Sequence, residues 1–324
     1  MRKIGIYSIA IICFIALCFL GYYAVQAQNG NPASTDETES SSGYRLVLIT
    51  KELDTPFWDK VGEGAMAAAA RNHASIEVWG SYGLNEQDFL KEMEIAIASK
   101  VDGIIVQGLD TAEFKQLAMY KATENGIPVI TVANDVPMNE SLRKTYVGSN
   151  HFEAGQMIAR QLLSDMGFNG KVVLLTEDRQ EDFQRARLKG ILEVLNNYPM
   201  IHTDIVDSGN SREQVVKATN NVLNRIPDVR AFVTTTANNA SAIIQEIEKR
   251  RKVDNYLIYS FDDSPETQKL VKQGKIDAIV SQSPQEMGEM SVDLMISWLK
   301  GELLPLSSDG YYTDIRVLKA EKRK

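Results

Sequence analysis

From Arg45 onward the chain alternates short runs of β-branched and aliphatic residues with amphipathic stretches long enough for a helix. That alternation commits a chain to βα units on parallel sheets, because a strand buried on both faces needs a covering helix before the next one can pair. It predicts strands at Arg45–Thr50, Ser75–Trp79, Gly103–Gln107, Ile127–Val132 and Thr145–Gly148, with helices starting near Phe57, Asn85 and Thr111. Pro56 and Asn85 suit helix starts, and Gly126 suits a helix stop. A second series follows at Lys171–Thr176, Ile201–Val206, Val229–Thr235, Tyr256–Ser260 and Asp277–Ser281, preceded by a helix at His151–Met166. Ser283–Lys300 predicts a further helix and Tyr312–Leu318 a last strand. The 324 residues exceed one ordinary core, so the expected fold is α/β, with two lobes of the same plan.

Ahead of the folded part, Met1-Arg2-Lys3 precedes an uncharged, largely apolar stretch from Ile4 to Ala27. This reads as an export signal or a membrane anchor: Val25-Gln26-Ala27 suits cleavage, yet the run exceeds the usual ~7–15 residue signal core. Arg2 and Lys3 before it, with Asp36, Glu37 and Glu39 after it, leave the amino terminus in the cytoplasm and the rest outside. Residues 28–43 form a flexible tether, and residues 321–324 a basic, solvated tail. Cys13 and Cys18 both fall in the leader, which leaves the folded part without a thiol nucleophile or a disulfide. Cys18 follows Ile15-Ala16-Leu17, a poor context for lipidation.

Ligands of open α/β sheets sit beyond the carboxyl ends of the strands. The residues there are polar: Thr50-Lys51, Gln107, Asn134-Asp135, Ser149-Asn150, Glu177-Asp178, Asp207, Thr235-Thr236, Asp262-Asp263 and Gln282. No nucleophile elbow, phosphate loop or zinc-binding HExxH is present, and the 3 histidines are scattered. Gly62-Glu63-Gly64 falls within a predicted helix and reads as helix packing. The acidic run Glu177-Asp178…Glu181-Asp182 lacks the glycine-centred spacing of a calcium loop and reads as a solvated loop. A net charge of -8 offers no basic footprint for nucleic acid. The residues thus suggest a non-enzymatic ligand binder, with neither cofactor nor metal.

Leu46-Val47-Leu48-Ile49-Thr50 with Thr55-Pro56-Phe57-Trp58, Gly126-Ile127-Pro128-Val129-Ile130-Thr131, Tyr146-Val147-Gly148-Ser149-Asn150 with Ala154-Gly155, and Tyr259-Ser260-Phe261-Asp262 stand in collinear order. Together they resemble the type I periplasmic binding proteins, near the ribose-binding group, whose fold is shared by the effector domains of LacI-type repressors. The resemblance implies two Rossmann-like lobes joined by a three-crossover hinge, with residues 44–148 and 283–307 in the first lobe and 149–282 and 308–320 in the second. It also implies a small sugar or polyol enclosed between them. Phe57 and Trp58 match the family's stacking aromatics, Arg185 its hydroxyl-binding arginine, Asp262 its carboxylate acceptor, and Gln282 a polar contact at the last crossover. From the residues alone, Phe57 and Trp58 could instead staple a helix to the sheet, Arg185 could lie on a helix surface, and Asp262 could be a helix cap.

Several positions depart from the ribose binders. Ala133-Asn134, with Asp135 one step on, stands where they carry an Asp-Arg pair. Asn210 falls where an aromatic would close the sugar's other face, and Thr236-Ala237 replaces Asn-Asp. Lys51 matches a position that reaches into the pocket of autoinducer-2 receptors, which admits an oxidised, branched or anionic ligand. The resemblance implies an extracytoplasmic sugar receptor whose partner is an ABC permease or, if the leader anchors it, a sensor histidine kinase of a two-component system. A LacI-type repressor would need a helix-turn-helix where this chain has its leader and tether.

Overall fold

The computed structural model describes residues 43–320, apart from residues 84, 180, 251, 252, 254 and 255. The leader, the tether as far as residue 42 and the basic tail lie outside the described residues. The strands are β1 Arg45–Thr50, β2 Ser75–Gly80, β3 Gly103–Gln107, β4 Val129–Val132, β5 Thr145–Gly148, β6 Gly170–Thr176, β7 Ile201–Asp207, β8 Val229–Thr234, β9 Leu257–Phe261, β10 Ala278–Ser281, β11 Tyr311–Tyr312 and β12 Arg316–Lys319. They form two six-stranded sheets, ordered β11-β5-β4-β3-β1-β2 and β12-β10-β9-β8-β6-β7. Each is parallel except at the antiparallel β10–β12 edge. In both lobes the order reverses beside the first strand, which is the doubly wound plan and places a crevice at the strands' carboxyl ends.

The chain passes between the sheets three times, after β5, after β10 and between β11 and β12. The last passage differs from expectation. Tyr312–Leu318 is not one strand: Tyr311 and Tyr312 pair with Val147 and Gly148 of the first sheet, while Arg316–Lys319 pairs with β10 of the second. The first lobe therefore keeps the chain through residue 312, and the boundary expected at residues 307/308 is corrected. Two contacts hold the 307–308 segment to the first lobe: Thr145 Oγ1 donates to the Ser307 carbonyl (2.7 Å) and Arg143 Nη1 to the Ser308 carbonyl (3.2 Å).

The central strands are buried on both faces, and each sheet separates two apolar clusters beneath its helices. Thr55 caps the Pro56–Arg71 helix, its hydroxyl accepting from the Trp58 N–H. That helix packs on Pro284–Leu299 in the first lobe, as His151–Met166 packs on Asp182–Leu195 in the second. Both pairs meet through glycines. A Cβ on Gly64 would lie 2.0 Å from the Gln285 carbonyl oxygen, and one on Gly155 2.1 Å from that of Arg187. The Gly62-Glu63-Gly64 run is thus helix packing. Gly64→Ala should cost about 1–3 kcal/mol through forced separation of the helices. Gly62→Ala, whose Cβ would meet only the Val78 side chain at 3.4 Å, should be neutral or stabilising. Urea unfolding of the two variants checks this, and equal losses would contradict it.

Candidate functional site

The two lobes build their strand ends in the same way. In the first, Gln107 Oε1 accepts from the Thr50 hydroxyl (2.9 Å) and from the Lys51 backbone N–H (2.9 Å). In the second, Gln184 Oε1 accepts from the Thr176 hydroxyl (2.7 Å), the Glu177 backbone N–H (2.9 Å) and the Thr235 hydroxyl (2.8 Å). Each buried amide thus fixes the turn that carries Lys51-Glu52 or Glu177 out of its sheet. The residues after the fourth strand of each lobe also correspond. Ala133 (φ 63°) and Asp262 (φ 66°) both adopt the left-handed conformation, and their N–H groups donate to the Val147 and Val280 carbonyls at 2.9 and 2.8 Å. Strain in a residue other than glycine, repeated at matching strand ends, marks a site that dictates its backbone.

Asp262 is the centre of the second lobe's contribution. Its Oδ1 accepts from Gln282 Nε2 and lies 3.8 Å from Arg187 Nη2. Arg187, only 2% exposed, lies 4.3 Å from the Phe261 ring centroid and 5.1 Å from that of Phe183, and donates to the Thr235 carbonyl (2.5 Å). Burial raises the Asp262 pKa and lowers that of Arg187, each opposed by the other's charge. Among the described residues, Arg187 Nε and Gln282 Oε1 are buried without hydrogen-bond partners. Reversing the Gln282 amide would set its oxygen against a carboxylate, so its present orientation is the one the network requires.

Contacts across the cleft draw the lobes together. Lys51 Nζ lies 2.5 Å from Glu181 Oε1, Lys60 Nζ 3.6 Å from Asp263 Oδ2, and Arg185 Nη2 3.6 Å from Asp110 Oδ2. At the hinge, His151 Nε2 is 2.9 Å from the Ala133 carbonyl oxygen, and the Tyr146 hydroxyl donates to the Ala133 and Ser149 carbonyls at 3.0 and 3.1 Å. Two carboxylates, Glu52 and Glu177, also belong to this cleft. Glu177 Oε1 accepts from the Thr236 hydroxyl (2.6 Å). Burial pushes Glu177 up to about 7, opposed by that bond and reinforced by the charges of Glu52, Asp262 and Glu181. Burial likewise raises Glu52, against the pull of Lys51.

The structure brings Lys51, Thr236, Asp262 and Gln282 to the cleft network and places the other expected residues differently. Arg185 is exposed and paired with Asp182 (2.9 Å) and Asp110, so the arginine beside Asp262 is Arg187. Trp58 is 3% exposed inside the first lobe's core, the stapling role, and Phe57 packs half-buried, edge-on to it at 5.6 Å. Asp135 is committed within its own lobe to Thr131 Oγ1 (2.6 Å) and the buried Arg143 (Nη2, 2.7 Å). Asn134 is half-buried in the tight turn after β4, its N–H donating to the Val132 carbonyl (2.7 Å), and Asn210 is exposed beside the Ser211 helix cap. The acidic run is no solvated loop throughout, since Glu177 and Glu181 are half-buried in the cleft. Sequence reasoning also missed Glu52, Gln184 and Arg187. For Arg187 a signal existed: Gln184, Arg187, Leu188, Ile191 and Leu195 share one helical face.

Residues 46–303 match the family described as the periplasmic binding protein domain. Among curated proteins, the D-allose-binding periplasmic protein of Escherichia coli is 22% identical over 281 residues, covering 83% of this chain and 89% of that one. The ribose import binding protein of Haemophilus influenzae is 24% identical over 267 residues, covering 82% and 89%. Among solved structures, GanP, a glucose-galactose binding protein from Geobacillus stearothermophilus, is 32% identical with a TM-score of 0.80, covering 86% of this chain and 98% of that one. XylFII, solved in complex with LytSN, is 25% identical with a TM-score of 0.76, covering 86% and 98%.

Proposed function

The chain belongs to the periplasmic binding protein family, a family of extracytoplasmic sugar-binding proteins, and from that premise we propose that it closes its two lobes on a small carbohydrate and presents the closed form to a membrane partner, as the solute-binding component of an ABC sugar importer. The observation that carries this reading is the pair of buried, unpartnered polar atoms, Arg187 Nε and Gln282 Oε1, set beside Asp262 at the strand ends where the lobes meet. A sugar offers hydroxyls that donate and accept at once, and it can satisfy both atoms and the carboxylate together. We assign ligand contacts to Lys51, Phe57, Thr236, Asp262 and Gln282, with Arg187 taking the place expected of Arg185. Closure is a population shift: only the closed arrangement lets a ligand touch both lobes, so binding energy favours it. The ligand is bound and released without chemical change.

Thermal unfolding of the full-length chain against pentoses, hexoses, deoxy sugars, polyols and sugar acids tests the reading. A ligand at about 100 times its dissociation constant should add about 2.7 kcal/mol to stability. No shift across the panel would overturn the carbohydrate assignment. A second reading, a sensor that signals to a histidine kinase, is favoured by the likeness to XylFII in its complex with LytSN. Deleting the gene separates the two: an importer component loses uptake of the sugar, whereas a sensor loses only the transcriptional response.

A further inference from the structure

Three of the five buried side-chain polar atoms that lack a hydrogen-bond partner among the described residues lie on two adjoining hinge crossovers: Ser149 Oγ and His151 Nδ1 on the first, Thr313 Oγ1 on the third. The two segments touch, the Thr313 N–H donating to the Gly148 carbonyl at 2.9 Å. His151, in the first turn of the second lobe's His151–Met166 helix, reaches back into the first lobe, its Nε2 2.9 Å from the Ala133 carbonyl oxygen. The same carbonyl accepts from the Tyr146 hydroxyl at 3.0 Å, and Gly148 leaves room for that hydroxyl, since a Cβ there would lie 2.1 Å from it. A carbonyl only accepts, so His151 Nε2 carries the proton, and Nδ1 of the neutral ring is the acceptor left unpartnered. The imidazole also meets the binding site. Its ring centroid lies 5.7 Å from that of Phe183, and the Phe183 centroid lies 5.1 Å from the Arg187 guanidinium beside Asp262. A continuous set of contacts thus runs from Ala133, the left-handed residue at the first lobe's strand end, through His151 and Phe183 to the second lobe's buried cation.

We propose that His151 is the positioning residue of closure: its neutral ring ties the first lobe's strand end to the arginine that grips the sugar, and a second proton on that ring opens the lobes and releases the sugar. The groups around the imidazole are the Ala133 carbonyl from the turn after β4, the Tyr146 hydroxyl from β5 at 3.4 Å, and Phe183 and the Arg187 cation from the Asp182–Leu195 helix. It forms no ion pair with a carboxylate among the described residues; Asp182, next to Phe183, is paired with Arg185, and Asp135, near Ala133, with Arg143. A proton added at Nδ1 would therefore be buried without an acceptor and would face the Arg187 charge. Burial and that charge hold the ring at about 3, below its ordinary 6.5. Opening turns the chain at Ser149 and Asn150, between the lobe of Ala133 and the lobe of His151. It parts Nε2 from the carbonyl, admits water to Nδ1 and returns the ring toward its ordinary value. Protons thus favour the open form, so sugar affinity is full above about pH 6.5 and falls as pH drops below it.

This inference rests on the carbohydrate-receptor reading, and one titration series distinguishes their failures. Full-length wild type, His151→Gln and His151→Leu are titrated calorimetrically with D-glucose, D-galactose, D-allose and D-ribose from pH 7.5 down to pH 5. Glutamine keeps an amide N–H for the Ala133 carbonyl and takes up no proton in that range, whereas leucine supplies no donor. Wild-type affinity for the tightest of the four sugars should fall about tenfold or more between those pH values, and His151→Gln should bind within about threefold of wild type at pH 7.5 and lose most of that fall. His151→Leu should bind about tenfold or more weakly at pH 7.5. Comparing variant with wild type removes the contribution of Glu177, which titrates in the same range. Should the variants fold poorly, imidazole proton resonances of the wild type give the same answer: one of the 3 histidines should titrate near 6.5 in the free protein and stay neutral down to pH 5 when saturated with sugar. Equal pH profiles in wild type and His151→Gln, or histidine titrations unchanged by sugar, would overturn the assignment and leave the receptor reading standing. Binding of none of the four sugars at any pH would overturn both.

Discussion

Replacing Arg187 with alanine should lower ligand affinity by about 100-fold or more and cost roughly 3–5 kcal/mol of stability, whereas Arg185→Ala should change either by about 1 kcal/mol or less. The contrast follows from burial. Arg187 is 2% exposed, is flanked by two phenylalanine rings, and is the cation beside Asp262; removing it strands a carboxylate and opens a void between the rings. Arg185 is 46% exposed, and its partners Asp110 and Asp182 remain hydrated without it. Arg187→Met separates volume from charge: it fills the space between the rings, so it should recover part of the stability and little of the binding. Urea unfolding and calorimetry with the tightest sugar of the screening panel supply both numbers. If Arg185→Ala abolished binding while Arg187→Ala retained it, the arrangement around Asp262 would be irrelevant to recognition.

The two arginines also show where local reasoning reached its limit. Matching Gln184-Arg185-Ala186-Arg187 to a family pattern selects by order along the chain, but a helix selects by rotation, and residue 187 faces inward with Gln184 and Ile191. Asp135 is a similar case: its partner Arg143 stands eight residues on, in the turn leading into β5, and that proximity exists only once β4 and β5 pair. The buried amides are less accessible still. Nothing near Gln107 announces that it will hold the end of a strand 57 residues away in sequence. By contrast, both sheets were legible because their central strands are largely apolar runs, and an apolar run buried on both faces admits few alternatives, while the edge strands β2 and β7 carry apolar residues interrupted by polar ones. The exception was Tyr312–Leu318. Its two halves belong to different sheets, and the switch at residues 313–315 is imposed by β5 and β10, not by any residue within it.

The same geometry explains why the cleft holds more charge than neutral sugar binding requires. Lys51–Glu181, Lys60–Asp263 and Asp110–Arg185 are partly exposed pairs, each worth about 0–1 kcal/mol, so together they bias closure without locking it. A receptor needs that modest scale. A stronger latch would close the lobes before a ligand entered, and the closed form would then carry no information for a membrane partner.

The dependence of stability on pH should reveal Glu177 directly. Its carboxyl is pushed up to about 7 from an ordinary 4.5, so between those values the folded protein binds a proton that the unfolded chain releases. The corresponding stability is fully present below about pH 4.5 and is lost as pH rises through 7, a change of up to about 3 kcal/mol, reduced by the solvated part of the side chain. Asp277, raised to about 6 mainly by burial, acts in the same sense. His151 acts in the opposite sense: burial lowers it from 6.5 to about 3, so stability is lost as pH falls below 6.5. The raw profile therefore mixes rising and falling limbs, and the informative quantity is the difference between wild type and Glu177→Gln, measured by urea unfolding from pH 5 to pH 8. The variant should match the wild type near pH 5, where Glu177 is protonated, and exceed it progressively toward pH 8. A difference that stayed constant with pH would mean Glu177 titrates as an ordinary surface acid. Glu52→Gln should shrink the same step, because part of what raises Glu177 is the Glu52 charge from the opposite lobe. A step unaffected by that substitution would mean the two carboxylates do not face one another in the closed protein.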